Sequence, residues 1–377
     1  MAEAMDRSTV LLAGGGTGGH LYPGIAVAEA LRRIAPELHP VFLCTRKEID
    51  RVILEPTGFE FVPQPVVPWK KSIGGTLRFA MGLRETWELD RRVIRERKPA
   101  AVLGLGGYAA GLAVRMAAGK KIPTALINPD VVPGAANKML FKRVDAVCCQ
   151  FDQTADYVEA SLRGKLKVTG CPIRSDIRTL PPRAEAAQRL GLDPRTHTLV
   201  VTGASLGAQT VNEAVLTMLG QITLRGWQIL HLSGRDHAAS VRAGYRELPA
   251  QAVVIDFTPA MADIWAVADL AISRSGASSC AELTACGVPS ILLPYPFHKD
   301  MHQRANALVL VDAGAAILVD DERDRASNAK RLQAVIEPLL YDADKRRAMS
   351  EAARKLGKSE AAENVAQLIR DMARTNR

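Results

Sequence analysis

At 377 residues, 47% hydrophobic and 24% charged, the chain is too long for one comfortable core and too apolar to be disordered, so two globular domains are expected. Aromatic residues make up only 5%, which argues against a nucleic-acid binder that works by base stacking. The net charge of +9 is concentrated early, with 21 Lys and Arg against 14 Asp and Glu in residues 1–150 and 28 against 26 in the rest, so the first half is expected to meet something anionic.

The first expected strand is the apolar run Thr9–Ala13. It leads into Gly14-Gly15-Gly16-Thr17-Gly18-Gly19-His20 and a helix over Gly24–Leu31. Glycine leaves room for a phosphate, and a helix N-terminus presents unpaired N–H donors. Gly14, Gly16 and Gly19 also fit the dinucleotide pattern G-x-G-x-x-G. Strands at Pro40–Cys44, Ala101–Leu105, Thr124–Ile127, Ala146–Cys149 and Lys167–Thr169 alternate with helices, which predicts a parallel sheet of βαβ units. Within that series, residues 66–98 mix Trp69, Ile73, Leu77, Met81 and Trp87 with Lys70, Lys71, Arg78, Arg84, Arg91, Arg92 and Arg95. A basic, partly apolar helix of this kind lies on an anionic membrane without spanning it; the alternative is a connecting helix packed on its own domain.

Gly170-Cys171-Pro172-Ile173-Arg174 closes the series, and Leu180-Pro181-Pro182-Arg183 reads as a linker. A second series follows at Thr198–Thr202, Gln228–Leu232, Ala252–Asp256, Leu270–Ser273, Ser290–Leu293 and Ala316–Val319. Its first loop, Gly203-Ala204-Ser205-Leu206-Gly207, repeats the spacing of the earlier one. Two doubly wound domains are predicted, 1–173 and 174–350, with a ligand in the cleft between them at the carboxyl ends of the strands. A helix over about 351–377 is expected to return to the first domain.

The most specific chemistry lies in residues 269–306. Ser275-Gly276 opens a helix whose N-terminus can hold a diphosphate. Glu282, about two turns further on, can accept two hydrogen bonds from a ribose diol. Gln303 and Asn306 share a helix face and carry amides suited to sugar hydroxyls. The six cysteines show neither C-x-x-C pairs nor metal-ligand spacing, so buried free thiols in a reducing compartment are expected. The first residues lack a signal-peptide pattern, and no apolar run approaches the length of a membrane span. The chain is therefore expected in the cytosol or on the cytosolic face of a membrane.

Taken together, Gly14–His20 with Pro23, Gly104-Leu105-Gly106-Gly107-Tyr108, Gly170–Arg174, Gly203–Ala208, the Ser275…Glu282 helix and His302-Gln303…Asn306-Ala307 resemble the MurG family of glycosyltransferases over about residues 9–320. The resemblance implies the α/β GT-B architecture, two Rossmann-like doubly wound domains facing across a cleft. It implies inverting, metal-independent transfer of N-acetylglucosamine from UDP-N-acetylglucosamine to a polyprenyl-diphosphate-linked muramyl peptide, with no cofactor and no nucleic acid. The location implied is the cytoplasmic face of the inner membrane, peripherally bound. Thr17, Gly18, Gly19, Arg174, Ser205, Phe257, Thr258, Ser275, Gly276, Glu282, Gln303 and Asn306 would then serve the donor. Gly15, Gly16, Gly106, Gly107, Tyr108, Asn128 and Asn137 would serve the acceptor.

The chain departs from the family on the acceptor side. Ile127-Asn128-Pro129-Asp130 stands where a His-Glu-x-Asn loop is usual, and Ala110-Gly111-Leu112 replaces the Ser/Thr and Pro after the Gly-Gly-Tyr loop. Transfer to a hydroxyl needs a general base, for which His20 and Asp130 are both candidates. Other readings are a different lipid or glycan acceptor, a UDP-N-acetylglucosamine epimerase of the same architecture, an NADP oxidoreductase, and a silent subunit that only binds acceptor. The oxidoreductase would leave the second glycine loop and the Glu282 helix without a role.

Overall fold

The computed structural model describes residues 8–67, 72–203 and 207–375. The chain divides into two compact units, residues 1–174 with 359–377, and residues 175–358.

The first unit runs β1 (Ser8–Gly14), α1 (Gly18–Ile34), β2 (Leu38–Thr45), α2 (Glu48–Leu54), β3 (Glu60–Gln64), α3 (Ile73–Arg97), β4 (Ala101–Gly106), α4 (Gly107–Gly119), β5 (Thr124–Asn128), α5 (Ala135–Phe141), β6 (Ala146–Cys149) and β7 (Leu166–Val168). The strands form one parallel sheet in the order β3-β2-β1-β4-β5-β6-β7. Alternate residues feed opposite faces, as a strand buried on both sides requires. Val10, Leu12, Phe42 and Leu103 join the core under α1, while Leu11, Ala13, Val41, Leu43 and Val102 join the core under α4.

The second unit runs α6 (Ser175–Arg178), α7 (Arg183–Leu190), β8 (His197–Thr202), α8 (Gln209–Leu219), β9 (Trp227–Leu232), α9 (Ala238–Arg246), β10 (Ala252–Ile255), α10 (Met261–Val267), β11 (Leu270–Ser273), α11 (Ala277–Cys286), β12 (Ser290–Leu292), α12 (His302–Asp312), β13 (Ala316–Leu318), α13 (Arg325–Tyr341) and α14 (Ala343–Leu356). Its parallel sheet is ordered β10-β9-β8-β11-β12-β13. In each sheet the order reverses beside the first strand, between β1 and β4 and between β8 and β11. Such switch points leave a crevice at the strand ends, where ligands bind.

Three elements differ from the sequence reading. Strand β3 was missed because Pro63 interrupts its pattern; it lies at the sheet edge, where a missing N–H is tolerated. Helix α1 begins at Gly18, not Gly24, and runs through Pro23. Packing overrides propensity there, because a Cβ on Gly24 would stand 2.5 Å from a Leu105 methyl. The helix expected over about 351–377 is two helices. α14 ends at Leu356 in the second unit, and α15 (Ala361–Thr375) lays Val365, Ala366, Ile369 and Ala373 into the α1 core of the first.

Helix α3 is anchored by a buried acid. Asp90 is 0% exposed, and its Oδ1 accepts from Gln64 Nε2 at 2.8 Å. Its Oδ2, Gln64 Oε1 and Thr86 Oγ1 are all buried without a hydrogen-bond partner among the described residues. Burial pushes the Asp90 carboxyl up to about 7, against about 3.9 in an unfolded chain. The folded state therefore holds the proton more tightly. That stability is complete below pH about 4 and is lost as pH rises through about 7. Asp90→Asn keeps the shape and cannot ionise. It is expected to raise stability at pH 8 by on the order of 4 kcal/mol and to change little at pH 4. Thermal melts at both pH values test this, and an equal effect at the two would refute it.

Candidate functional site

In the first unit the site gathers at the β1/β4 switch point. Gly106 and Gly107 have φ of +102° and +73°, and a Cβ on either would stand about 3.0–3.1 Å from the His20 ring. Glycine is required because the second loop closes directly on that histidine. His20 Nδ1 lies 3.3 Å from the Gly15 carbonyl and 3.1 Å from Thr17 Oγ1. A carbonyl can only accept, so Nδ1 carries the proton and Nε2 is left as the acceptor. Burial lowers the His20 pKa below its ordinary value, partly offset by the Gly15 hydrogen bond and the charges of Asp130 and Asp50. The ring is thus neutral near pH 7, as a general base requires.

The glycine loop itself is built differently from the expectation. Gly16 N–H donates to both oxygens of the buried Asp50 carboxylate, at 2.7 and 2.9 Å, and Thr45 N–H and Oγ–H donate to Oδ2 at 2.8 Å each. A Cβ on Gly15 would fall 2.3 Å from Asp50 Oδ2. Of Gly15 and Gly16, both expected on the acceptor, Gly16 spends its N–H on this internal anion and Gly15 packs against the same carboxylate. Residues left to meet a ligand are Thr17, Gly18 and Gly19, whose N–H groups sit at the α1 N-terminus. Sequence reasoning missed Asp50. It also missed Lys47, whose Nζ donates to Gly16 O at 3.2 Å and stands 5.9 Å from the Tyr108 ring centroid.

Asn128 and Asn137, also expected on the acceptor, are buried. Asn128 Nδ2 donates to the Asp130 carbonyl at 2.8 Å. Asn137 Nδ2 donates to the Ile127 carbonyl and to Asn128 Oδ1, at 3.1 and 3.2 Å. A buried amide spends its donors on the nearest carbonyls, so this pair shapes the 127–130 loop from behind. Arg174 belongs to the first unit, one residue beyond the expected boundary, with its guanidinium 4.9 Å above the Tyr22 ring centroid.

In the second unit the β8/β11 switch point leads into α11, whose N-cap is Gly276. Glu282 is partly exposed, and its Oε2 accepts from the indole N–H of buried Trp265 at 2.8 Å. That partner on α10 was not legible in the sequence, because nothing in the local pattern pairs residues 17 apart. Ser275 and Asn306 are both fully buried. Ser275 Oγ donates to the Gln303 carbonyl at 2.8 Å, and Asn306 Nδ2 donates to the Ser275 carbonyl at 3.1 Å. They bolt α12 to the start of α11, which corrects the expectation that Asn306 faces the sugar. Gln303 is partly exposed, and its Oε1 accepts from Tyr295 N–H at 3.0 Å. Phe257 is 38% exposed beneath Arg235, whose guanidinium lies 5.0 Å from the ring centroid, and Thr258 Oγ1 accepts from Ala260 N–H at 3.0 Å. Ser205 lies outside the described residues.

Behind these loops Arg274 is buried. Its Nη1 donates to Asp321 Oδ2 at 2.8 Å and to the Leu293 and Pro294 carbonyls, and its Nη2 donates to Thr210 Oγ1. This network ties β11, the chain after β12 and α8 into one frame, and sequence patterning does not reveal it.

Two parallel doubly wound units, each with a glycine-opened helix at its switch point, define the GT-B architecture. The chain matches the glycosyltransferase family 28 N-terminal domain over residues 10–149 and the family 28 C-terminal domain over residues 198–367. It belongs to the family of UDP-N-acetylglucosamine--N-acetylmuramyl-(pentapeptide) pyrophosphoryl-undecaprenol N-acetylglucosamine transferases, the MurG family. The member from Thermodesulfovibrio yellowstonii is 36% identical, covering 98% of this chain and 100% of that protein. The member from Desulforudis audaxviator is 34% identical over 97% and 98%. The crystal structure of Acinetobacter baumannii MurG superposes with a TM-score of 0.75 at 24% identity, over 97% and 99% of the two chains. A UDP-GlcNAc 2-epimerase from Neisseria meningitidis shares the fold, with a TM-score of 0.68 at 12% identity over 96% and 100%. Fold alone thus does not separate transferase from epimerase; the full-length identity to the transferases does.

Proposed function

We propose that this chain is the enzyme that moves N-acetylglucosamine from UDP-N-acetylglucosamine to undecaprenyl-diphospho-muramyl-pentapeptide, with inversion, in peptidoglycan synthesis. The observation that carries this reading is the 36% identity to a transferase of that name over 98% of the chain. The second unit binds the donor. Glu282 takes the ribose diol, the backbone at Phe257 and Thr258 takes the uracil, and the N-terminus of α11 at Gly276 takes the diphosphate. Gln303 meets the sugar. Dipoles at helix termini stabilise the leaving UDP without requiring a metal ion.

The first unit binds the acceptor around Gly106, Gly107 and Tyr108, with the α1 N-terminus and Arg174 beside phosphate groups. His20 is the base that takes the proton from the attacking hydroxyl. What favours it over Asp130 is the tautomer, which leaves Nε2 unprotonated, and the pKa lowered by burial. Asp130 acts through its charge on His20.

The acceptor is a lipid, and the exposed side of α3 suits a peripheral place on the cytoplasmic face of the inner membrane. Met81 is 56% and Trp87 45% exposed, and Arg84, Arg91 and Arg95 line the same side at helical spacing. No helix among the described residues is long and apolar enough to cross a membrane. Trp69 lies outside the described residues, and α3 contains Ile73 and Leu77.

The test is UDP release from UDP-N-acetylglucosamine and a soluble analogue of the lipid acceptor, with no divalent metal added. Acceptor-dependent release is expected, whereas UDP binding without it would move the chain to another acceptor. Flotation with anionic vesicles is expected to carry the protein at low salt and to weaken in Arg84→Glu with Arg91→Glu. Failure to float at low salt would refute the membrane reading.

A further inference from the structure

The segment that leads into α12 reads His298-Lys299-Asp300-Met301-His302. Met301, the N-cap of α12, is a non-glycine residue with φ of +49°, a conformation that folds the chain sharply back. The fold brings alternate side chains together. His302 Nδ1 stands 2.8 Å from Asp300 Oδ1, and the His298 and His302 rings stack with centroids 4.5 Å apart. Tyr295 packs on His298 at 4.7 Å. One ligand atom from each of His298, Asp300 and His302 lies within 4.8 Å of the other two, the one such group among the described residues.

We propose that His298, Asp300 and His302 bind one divalent transition-metal ion of the zinc class, with water completing its coordination. Two imidazoles and a carboxylate are the donor set that such ions prefer, and bonds of about 2.0–2.2 Å place tetrahedral ligand atoms about 3.4 Å apart. His298 and Asp300 are exposed and His302 is half-buried, so closing the remaining gap disturbs no core packing. Competing soft ligands are out of reach. All six cysteines are buried, and burial pushes the thiols of Cys44, Cys148, Cys149 and Cys286 up to about 12.

The site adjoins the donor frame. The next residue, Gln303, receives both the Ser275 hydroxyl and the Tyr295 N–H. A bound ion would staple the loop before α12 to the first turn of that helix.

Zinc titration of the full chain against a chromophoric chelator tests the proposal. One zinc equivalent is expected, weakened at least about tenfold in His298→Asn and in His302→Asn, each checked for wild-type circular dichroism. Binding unchanged in the double variant would overturn it. Zinc-edge X-ray absorption of the loaded wild-type protein needs no variant. Two imidazole scatterers with oxygen are expected, and sulfur ligation or a single imidazole would overturn the assignment.

Discussion

Glu282→Gln is expected to lower kcat/KM for UDP-N-acetylglucosamine by about 100-fold, chiefly through KM. A carboxylate that accepts from both ribose hydroxyls makes two charge-assisted hydrogen bonds, each worth about 1.5–3 kcal/mol, and an amide keeps only part of that. The ribose is remote from the reacting carbon, so its contacts are made about equally in ground and transition states and are read in KM. The sharper arm uses the 2′-deoxy donor, which lacks one of the hydroxyls. Wild-type protein should discriminate against it strongly, and Glu282→Gln should not. Trp265→Phe removes only the indole N–H that holds Oε2 at 2.8 Å. It is expected to raise KM about tenfold, consistent with one lost hydrogen bond to a charged group, and to narrow the same discrimination. If Glu282→Gln keeps full discrimination, the ribose assignment fails. If only Trp265→Phe keeps it, the tryptophan serves packing alone.

His20→Ala is expected to lower kcat by about 10²–10⁴, the range for loss of a positioned base, with little change in UDP affinity. The pH dependence separates the two candidate bases. Burial lowers the His20 pKa from 6.5, so the neutral base persists below pH 6.5 and the acid limb of kcat/KM should fall there. Asp130 raises the His20 pKa by its negative charge. Asp130→Asn should therefore shift that limb to lower pH while keeping most activity near neutrality. An Asp130→Asn protein dead at every pH, beside an active His20→Ala protein, would assign the base to Asp130.

Much of the fold was legible because parallel sheets buried on both faces leave continuous apolar runs. Ala146–Cys149 and Leu270–Ser273 are strands with the expected bounds. The glycine loops were legible too, since few residues other than glycine reach the φ of Gly106 and Gly107.

What the sequence by itself determined is therefore the two parallel sheets, the loops at their switch points and the family that these loops mark. Only the tertiary structure decided which polar groups in those loops are still available to a ligand. Gly16 N–H, Asn128, Asn137, Ser275 and Asn306 all carry the right chemistry, yet each is used internally. Trp265 holds the partly exposed Glu282, and Asp50 holds the buried backbone of the first glycine loop, each from another element. The physical reason is that a buried donor or acceptor must find a partner within the fold. That partner is chosen by packing between elements distant in the chain, which no local pattern of residues records.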